Sequence, residues 1–294
     1  MREQIRSRRA WIMGLTLALS VMLSSLSAWG GASGRESQDR MTRDITAGLP
    51  VVIHVVVALC DNLHQGIVPV PAGIGNGQDP QSNLYWGAMY GVRTYLTRQA
   101  GWSRLQVVQP SDPKIQERIV LYTRIPRQGR AVPTYLVADA WDGAEMRGAI
   151  ETFLSLASGK GVEVISPGST ADKISISAGG AAHLVTFVGH NGLMDFSVVG
   201  PTQRADKAPA ASSMVLACAS KPYFEQTLKG VGSHPLLLTT GLMAPEAYTL
   251  DAAIRSWVGG GTVAATREAA AQAYHKYQKC GLKAARGLFW GEQE

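Results

Sequence analysis

The run Val51-Val52-Ile53-His54-Val55-Val56-Val57-Ala58-Leu59 is almost wholly β-branched and aliphatic. It shows no alternation of apolar and polar residues. Such a run suits a strand covered on both faces, as in the interior of a parallel sheet. Downstream, Asp61 to Ser82 is rich in Gly and Pro and reads as a mobile loop over the strand end, placed to act as a substrate flap. From Asn83 to Arg98, Leu84, Met89, Val92 and Leu96 are spaced for a helix, with Asn83 as its N-cap. Leu105–Val108 and Arg118–Tyr122 predict two strands around a Pro/Asp turn, a hairpin insertion over 103–131. Thr134–Asp139 predicts a strand. Ala144–Ala157 predicts a helix with Met146, Ile150, Phe153 and Leu154 on one face. Further strands are expected at Ala182–Val188, Met214–Ala217 and Leu236–Thr240, and helices at 245–258 and 262–278. Strands alternating with helices predict the α/β class, a three-layer αβα sandwich around a mostly parallel sheet.

Composition agrees with a chain that builds a core. Of 294 residues, 46% are apolar and 17% charged, which separates it from disordered sequences. Three Cys are too few for a disulfide scaffold, and the odd count leaves at least one free thiol. The formal charge of +6 is concentrated at the start of the chain. Without residues 1–32 the balance is 24 basic against 21 acidic residues, or +3, which gives no case for a nucleic-acid partner.

That first segment reads as an export signal. Arg2, Arg6, Arg8 and Arg9 precede an apolar run from Ala10 to Leu23, and small residues follow up to Ala32. Ser7-Arg8-Arg9 also resembles a twin-arginine motif, so both that route and ordinary secretion fit. The apolar run is short for a membrane span, so the expected product is periplasmic or secreted, with no span after signal removal. Residues 33–49 are polar and read as a linker, leaving 50–294 as one α/β domain.

In open parallel sheets the site lies beyond the carboxyl ends of the strands. The residues there are Asp61 and Asn62 after the first strand, Asp139 to Asp142 after the middle strand, then His190-Asn191-Gly192, Cys218-Ala219-Ser220 and Gly241-Leu242-Met243. If the strands that end at His190 and Cys218 are neighbours, a Cys and a His project over one sheet edge. An imidazole that takes a thiol proton and later protonates a leaving group makes nucleophilic catalysis available. The N–H groups of Gly192 and Cys218 are candidate oxyanion donors.

These two elements, Leu184–Gly192 and Met214–Ser220, resemble the caspase-like cysteine peptidases, a group that includes caspases, metacaspases, legumain, clostripain and gingipains. The His-first order, the strand at 51–59 and the helix at 83–98 also match that group. The resemblance implies a caspase-like fold, a His190–Cys218 dyad, a peptide or protein substrate, and no cofactor or metal in the chemistry. Two departures stand out: Asn191 intervenes between His190 and Gly192, and the crossover 191–211 shows no good helix. By position, Asp61 is a candidate pocket residue for a Lys or Arg side chain, with Asn62 beside it. The competing reading is the same fold without chemistry, an exported peptide- or protein-binding module.

Other motifs carry less. Cys60 and His64 with His54 lack a fourth ligand, and His54 lies inside a buried strand, so a metal site is not expected. Gly73–Gly77 lacks the Lys and Ser/Thr of a phosphate loop, and no G-x-S-x-G element is present. Lys276, Lys279, Lys283 and Arg286 read as a solvated basic face, and Tyr85, Trp86 and Tyr90 as core.

Overall fold

The computed structural model describes residues 33–167 and 174–293. The export signal expected over 1–32 lies outside them.

The Val51 run forms β1 (Val51–Ala58), buried at every position. It is paired in parallel with β4 (Arg130–Trp141) on one side and β7 (Leu184–Val188) on the other. Beyond β7 lie β8 (Ser212–Leu216) and β9 (His234–Thr239), both parallel. Beyond β4 lie β3 (Ile115–Arg127) and β2 (Ser103–Val108), both antiparallel to their neighbours. A short antiparallel β10 (Phe289–Trp290) closes the other edge. The result is one mixed, mostly parallel eight-stranded sheet of order β10-β9-β8-β7-β1-β4-β3-β2.

Helices cover both faces. On one side Val51, Ile53, Val55 and Val57 pack with α2 (Val92–Arg98), α5 (Ala247–Val258) and α6 (Val263–Gln278). On the other, Val52, Val56 and Ala58 pack with α3 (Met146–Ala157) and α4 (Ser220–Gly230). Each fully buried Val or Ile of this strand contributes on the order of 1.5–3 kcal/mol. No described helix is long and apolar enough to cross a membrane.

Three expectations are corrected. Residues 33–46 are helical (α1), not a linker, and are tied to the sheet. The Arg40 guanidinium donates to the carbonyls of Ala181, Ala182 and Ala210, Ser37 bonds Ser212, and Met41 is buried. Their polarity serves carbonyl groups at the starts of β7 and β8 instead of solvent. The two strands expected within 103–131 are present as β2 and β3, and the hairpin extends the main sheet instead of standing apart as an insertion. It supplies two strands of the main sheet, and β3 turns into β4 through Gln128-Gly129, both at positive φ (49° and 76°), as a two-residue hairpin loop requires. Finally, 83–91 is a tight series of turns and only Val92–Arg98 is helical. A Cβ on Gly87 would sit 1.9 Å from the Gln81 carbonyl oxygen, so the chain folds back here too closely for a continuous helix.

A charged cluster inside the sheet layer gathers around His54. Its Nδ1 accepts from the Gly179 N–H at 3.1 Å, which sets the tautomer so that Nε2 donates to Asp139 at 3.1 Å. Arg118 holds the same carboxylate with two bonds of 2.5 and 2.7 Å and reaches Glu163 at 2.6 Å. The small hairpin of β5 (Val162–Ile165) and β6 (Ile176–Gly179) is thereby fastened to β1, β3 and β4. Burial opposes ionisation of Asp139, but the bonds from Arg118 and His54 outweigh it and bring the carboxyl down to about 2. A carboxyl below its unfolded value near 3.9 adds stability that is complete above roughly pH 5 and fades as pH falls through the folded value. Urea unfolding should therefore show wild type losing about 2 kcal/mol between pH 5 and pH 2 that Asp139→Asn does not lose. Equal losses in the two proteins would remove the network from the acid response.

Candidate functional site

The β7–β8 pairing decides what stands over the sheet edge. Its register ends at Val188 opposite Leu216. Past that pair Gly189 bends, its N–H donating to the Leu216 carbonyl at 3.2 Å, and His190 and Cys218 lie in the two loops that follow. Val188 and Leu216 both belong to the core on the α5/α6 face.

Past Leu216 the chain makes a strained turn into α4. Ala219 is left-handed, at φ 45° and ψ 41°, a conformation that costs a non-glycine residue about 1–2 kcal/mol. Buried hydroxyls brace it. Ser220 Oγ donates to the Val215 carbonyl at 2.9 Å, Ser220 N–H donates to Thr239 Oγ1 at 3.0 Å, and Thr239 Oγ1 donates to the Ala217 carbonyl. Ala219 N–H reaches the Gly241 carbonyl at 2.8 Å. The turn presents the half-buried Cys218 beside Met243, whose N–H points at Sγ from 3.3 Å, while Sγ lies 3.4 Å from the Met243 carbonyl oxygen.

His190 is fixed from the other side. Its Nε2 and Asp195 Oδ2 are 2.8 Å apart, and Nδ1 has no partner among the described residues. The turn that brings Asp195 back is a single 3₁₀ turn, Gly192–Met194. Asn191 starts it by accepting the Leu193 N–H, and donates through Nδ2 to the Cys218 carbonyl at 2.8 Å. Asn191, which breaks the His-Gly pattern in the sequence, is fully buried and ties the His loop to the Cys loop. Gly192 is buried, and a Cβ there would meet Phe196 Cζ at 2.6 Å and Met146 Cγ at 2.8 Å, so packing demands glycine at this position. No hydrogen bond joins His190 to Cys218 among the described residues.

Asp61 and Asn62 do other work. Asp61 Oδ1 accepts the N–H groups of Leu63 and His64, and Oδ2 meets His64 Nδ1 at 2.8 Å and Gln78 Nε2 at 3.0 Å. These four bonds occupy the acceptor sites of a carboxylate that is 1% exposed. Nothing is left for a substrate Lys or Arg, which corrects the pocket expectation. Asn62 closes the loop onto Val70 with bonds of 2.8 and 3.0 Å. Asn83, expected as a helix cap, instead clamps Cys60 and Asn76, and Gln65 joins Leu59 to Gly143. The 61–82 loop is thus a pinned structure and not a loose flap. Leu63 and Val68 are its exposed apolar side chains.

The other thiols stand apart. Cys60 is buried, and burial pushes its thiol up to about 11, despite a bond with Tyr85 that works the other way. Cys280 is exposed at the end of α6, so the two do not meet. Sequence reasoning missed Asp195, although a carboxylate five residues after the His was visible. The sequence places Met243 at a strand end, but it shows neither the contact with Cys218 nor the role of Asn191. The chain was compared with protein-family models, curated proteins and solved structures, and it matches none of them.

Replacing Ala219 with Gly relieves the left-handed strain, offset by the greater freedom of glycine when unfolded. The expected result is a gain in unfolding free energy of up to about 1 kcal/mol, read from urea denaturation. A loss would show that the turn is not strained.

Proposed function

We propose that this chain is an exported cysteine peptidase of caspase-like fold, with Cys218 as nucleophile and His190 as general base and acid. The observation that carries the reading is the site past the ends of β7 and β8: a half-buried thiol on a braced turn, in a loop that Asn191 ties to the loop of an imidazole already held by a carboxylate. Asp195 accepts from Nε2–H, which leaves Nδ1 free as the proton acceptor facing the reaction. The thiol proton passes to His190 as sulfur attacks the peptide carbonyl carbon. The N–H groups of Cys218 and Gly192 serve the oxyanion. The imidazolium then protonates the departing amine, leaving a thioester. Water, deprotonated by His190, hydrolyses the thioester and restores the thiol. Negative charge developing at sulfur meets the Met243 N–H and the first turn of α4. In this reading the Arg-led apolar segment at the N-terminus carries the chain out of the cytoplasm.

The second reading is an exported peptide- or protein-binding module on the same scaffold. It is favoured by one observation, the lack of a hydrogen bond between His190 and Cys218. Catalytic contacts often close only with substrate bound, so this geometry does not exclude the first. The experiment is hydrolysis of a mixed peptide library by the protein from residue 33 onward, read by mass spectrometry. Cys218→Ser and His190→Ala should each lose at least about a thousandfold in kcat/KM. Asp195→Asn should lose about ten- to a hundredfold, with a displaced acid limb of the pH profile, because it disturbs only the imidazole. No hydrolysis by wild type leaves the binding module.

A further inference from the structure

We infer that Asn191 is a positioning residue for the reaction: its side-chain amide sets the Cys218 loop against His190 and against the oxyanion donors. This assignment rests on the peptidase reading and names the residue that assembles its site.

Asn191 follows His190 directly, and both ends of its buried amide are used. Oδ1 accepts the Leu193 N–H at 3.2 Å and starts the turn that returns Asp195 to the His190 ring. Nδ2 donates to the Cys218 carbonyl at 2.8 Å. One side chain thus touches the turn that orients the imidazole and the residue that carries the sulfur. The Cys218 carbonyl shares a planar peptide unit with the Ala219 N–H, which donates to the Gly241 carbonyl at 2.8 Å. That unit is gripped from both edges, by Asn191 and by Gly241, immediately before the left-handed Ala219. Rotation of the unit breaks at least one of the two bonds, so the bond to Asn191 restrains the backbone of the nucleophile.

The candidate oxyanion donors sit on the same two loops. Neither the Gly192 N–H nor the Cys218 N–H has an acceptor among the described residues. Gly192 is buried, and a buried donor without an acceptor is rare enough to call for one from outside the chain, such as a substrate oxygen or a water. Gly192 is bonded in sequence to Asn191, and Cys218 carries the carbonyl that Asn191 holds. The Asn191 bond therefore joins the two loops at the residues that supply the donors, as well as those that supply the imidazole and the thiol. The departure from the His-Gly pattern acquires a purpose: at position 191 a glycine has no side chain to reach Cys218.

The test is a double-mutant cycle on the protein from residue 33 onward, read by iodoacetamide alkylation of Cys218 at pH 7. Asn191→Ser keeps an oxygen for the Leu193 N–H but is too short to reach the Cys218 carbonyl. Asn191→Asp keeps the shape and the acceptor but lacks the donor. Each should slow Cys218 about tenfold and leave Cys280 unchanged, and adding His190→Ala should then cost less than about twofold more. A residue that served the fold alone would move the urea midpoint and leave the His190→Ala effect at its wild-type size, which would overturn the inference. Isotope-labelled wild type supplies a check that holds even if both variants unfold. Titration of the His190 ring, followed by NMR, should move the Asn191 side-chain amide and Cys218 backbone signals together, and indifference of either would also overturn it. Hydrolysis of the mixed peptide library separates the two claims. Both variants should lose kcat about tenfold or more with KM nearly unchanged. Cleavage by wild type that the variants retain removes the positioning role and keeps the peptidase. No cleavage by wild type, with the His190 effect on alkylation lost in the variants, removes the peptidase and keeps the coupling.

Discussion

The parallel pairing of β7 with β8 is the constraint on which the site depends. Because the pairing ends at Val188 opposite Leu216, both chains leave the sheet at the same edge. Both strands are fully buried, so neither can slip by one residue without turning apolar side chains to the wrong layer. The Asn191 amide then locks the two emerging loops through the Cys218 carbonyl. The hydrophobic pattern of two five-residue strands thus brings the loops that carry His190 and Cys218 to one sheet edge.

Elsewhere in the molecule the buried charges are committed. Asp139 is held by Arg118 and His54, and Asp61 by its own loop. His183 is buried between Asp44 and the Val52 N–H, and burial with the neighbouring Arg40 brings its imidazole down to about 4. His190, 15% exposed, pairs one ring nitrogen with Asp195, and its other ring nitrogen has no partner among the described residues.

Much of the fold could be read from periodicity. The buried strands at 51–58, 184–188, 212–216 and 234–239 and the helices at 146–157, 247–258 and 263–278 have long, unambiguous apolar patterns. The sequence misled where polar side chains bond backbone. The 33–46 stretch looks like a linker because Arg40 and Ser37 are polar, yet their partners are carbonyl and hydroxyl groups at distant strand ends. The 61–82 loop looks loose because Gly and Pro dominate, yet Asn62, Gln65, Gln78 and Asn83 knit it together. His190 and Cys218 were legible because each directly follows a strand. Asp195 was not, since its relation to His190 depends on a 3₁₀ turn that no periodicity announces.

The central claim is that His190 activates Cys218. It is tested most directly by the rate of iodoacetamide alkylation at each cysteine of the folded protein at pH 7, in wild type and in His190→Ala. The account predicts that Cys218 is alkylated fastest, that buried Cys60 is protected, and that His190→Ala slows Cys218 about tenfold or more while leaving Cys280 unchanged. Alkylation of Cys218 at the same rate in both proteins would contradict it.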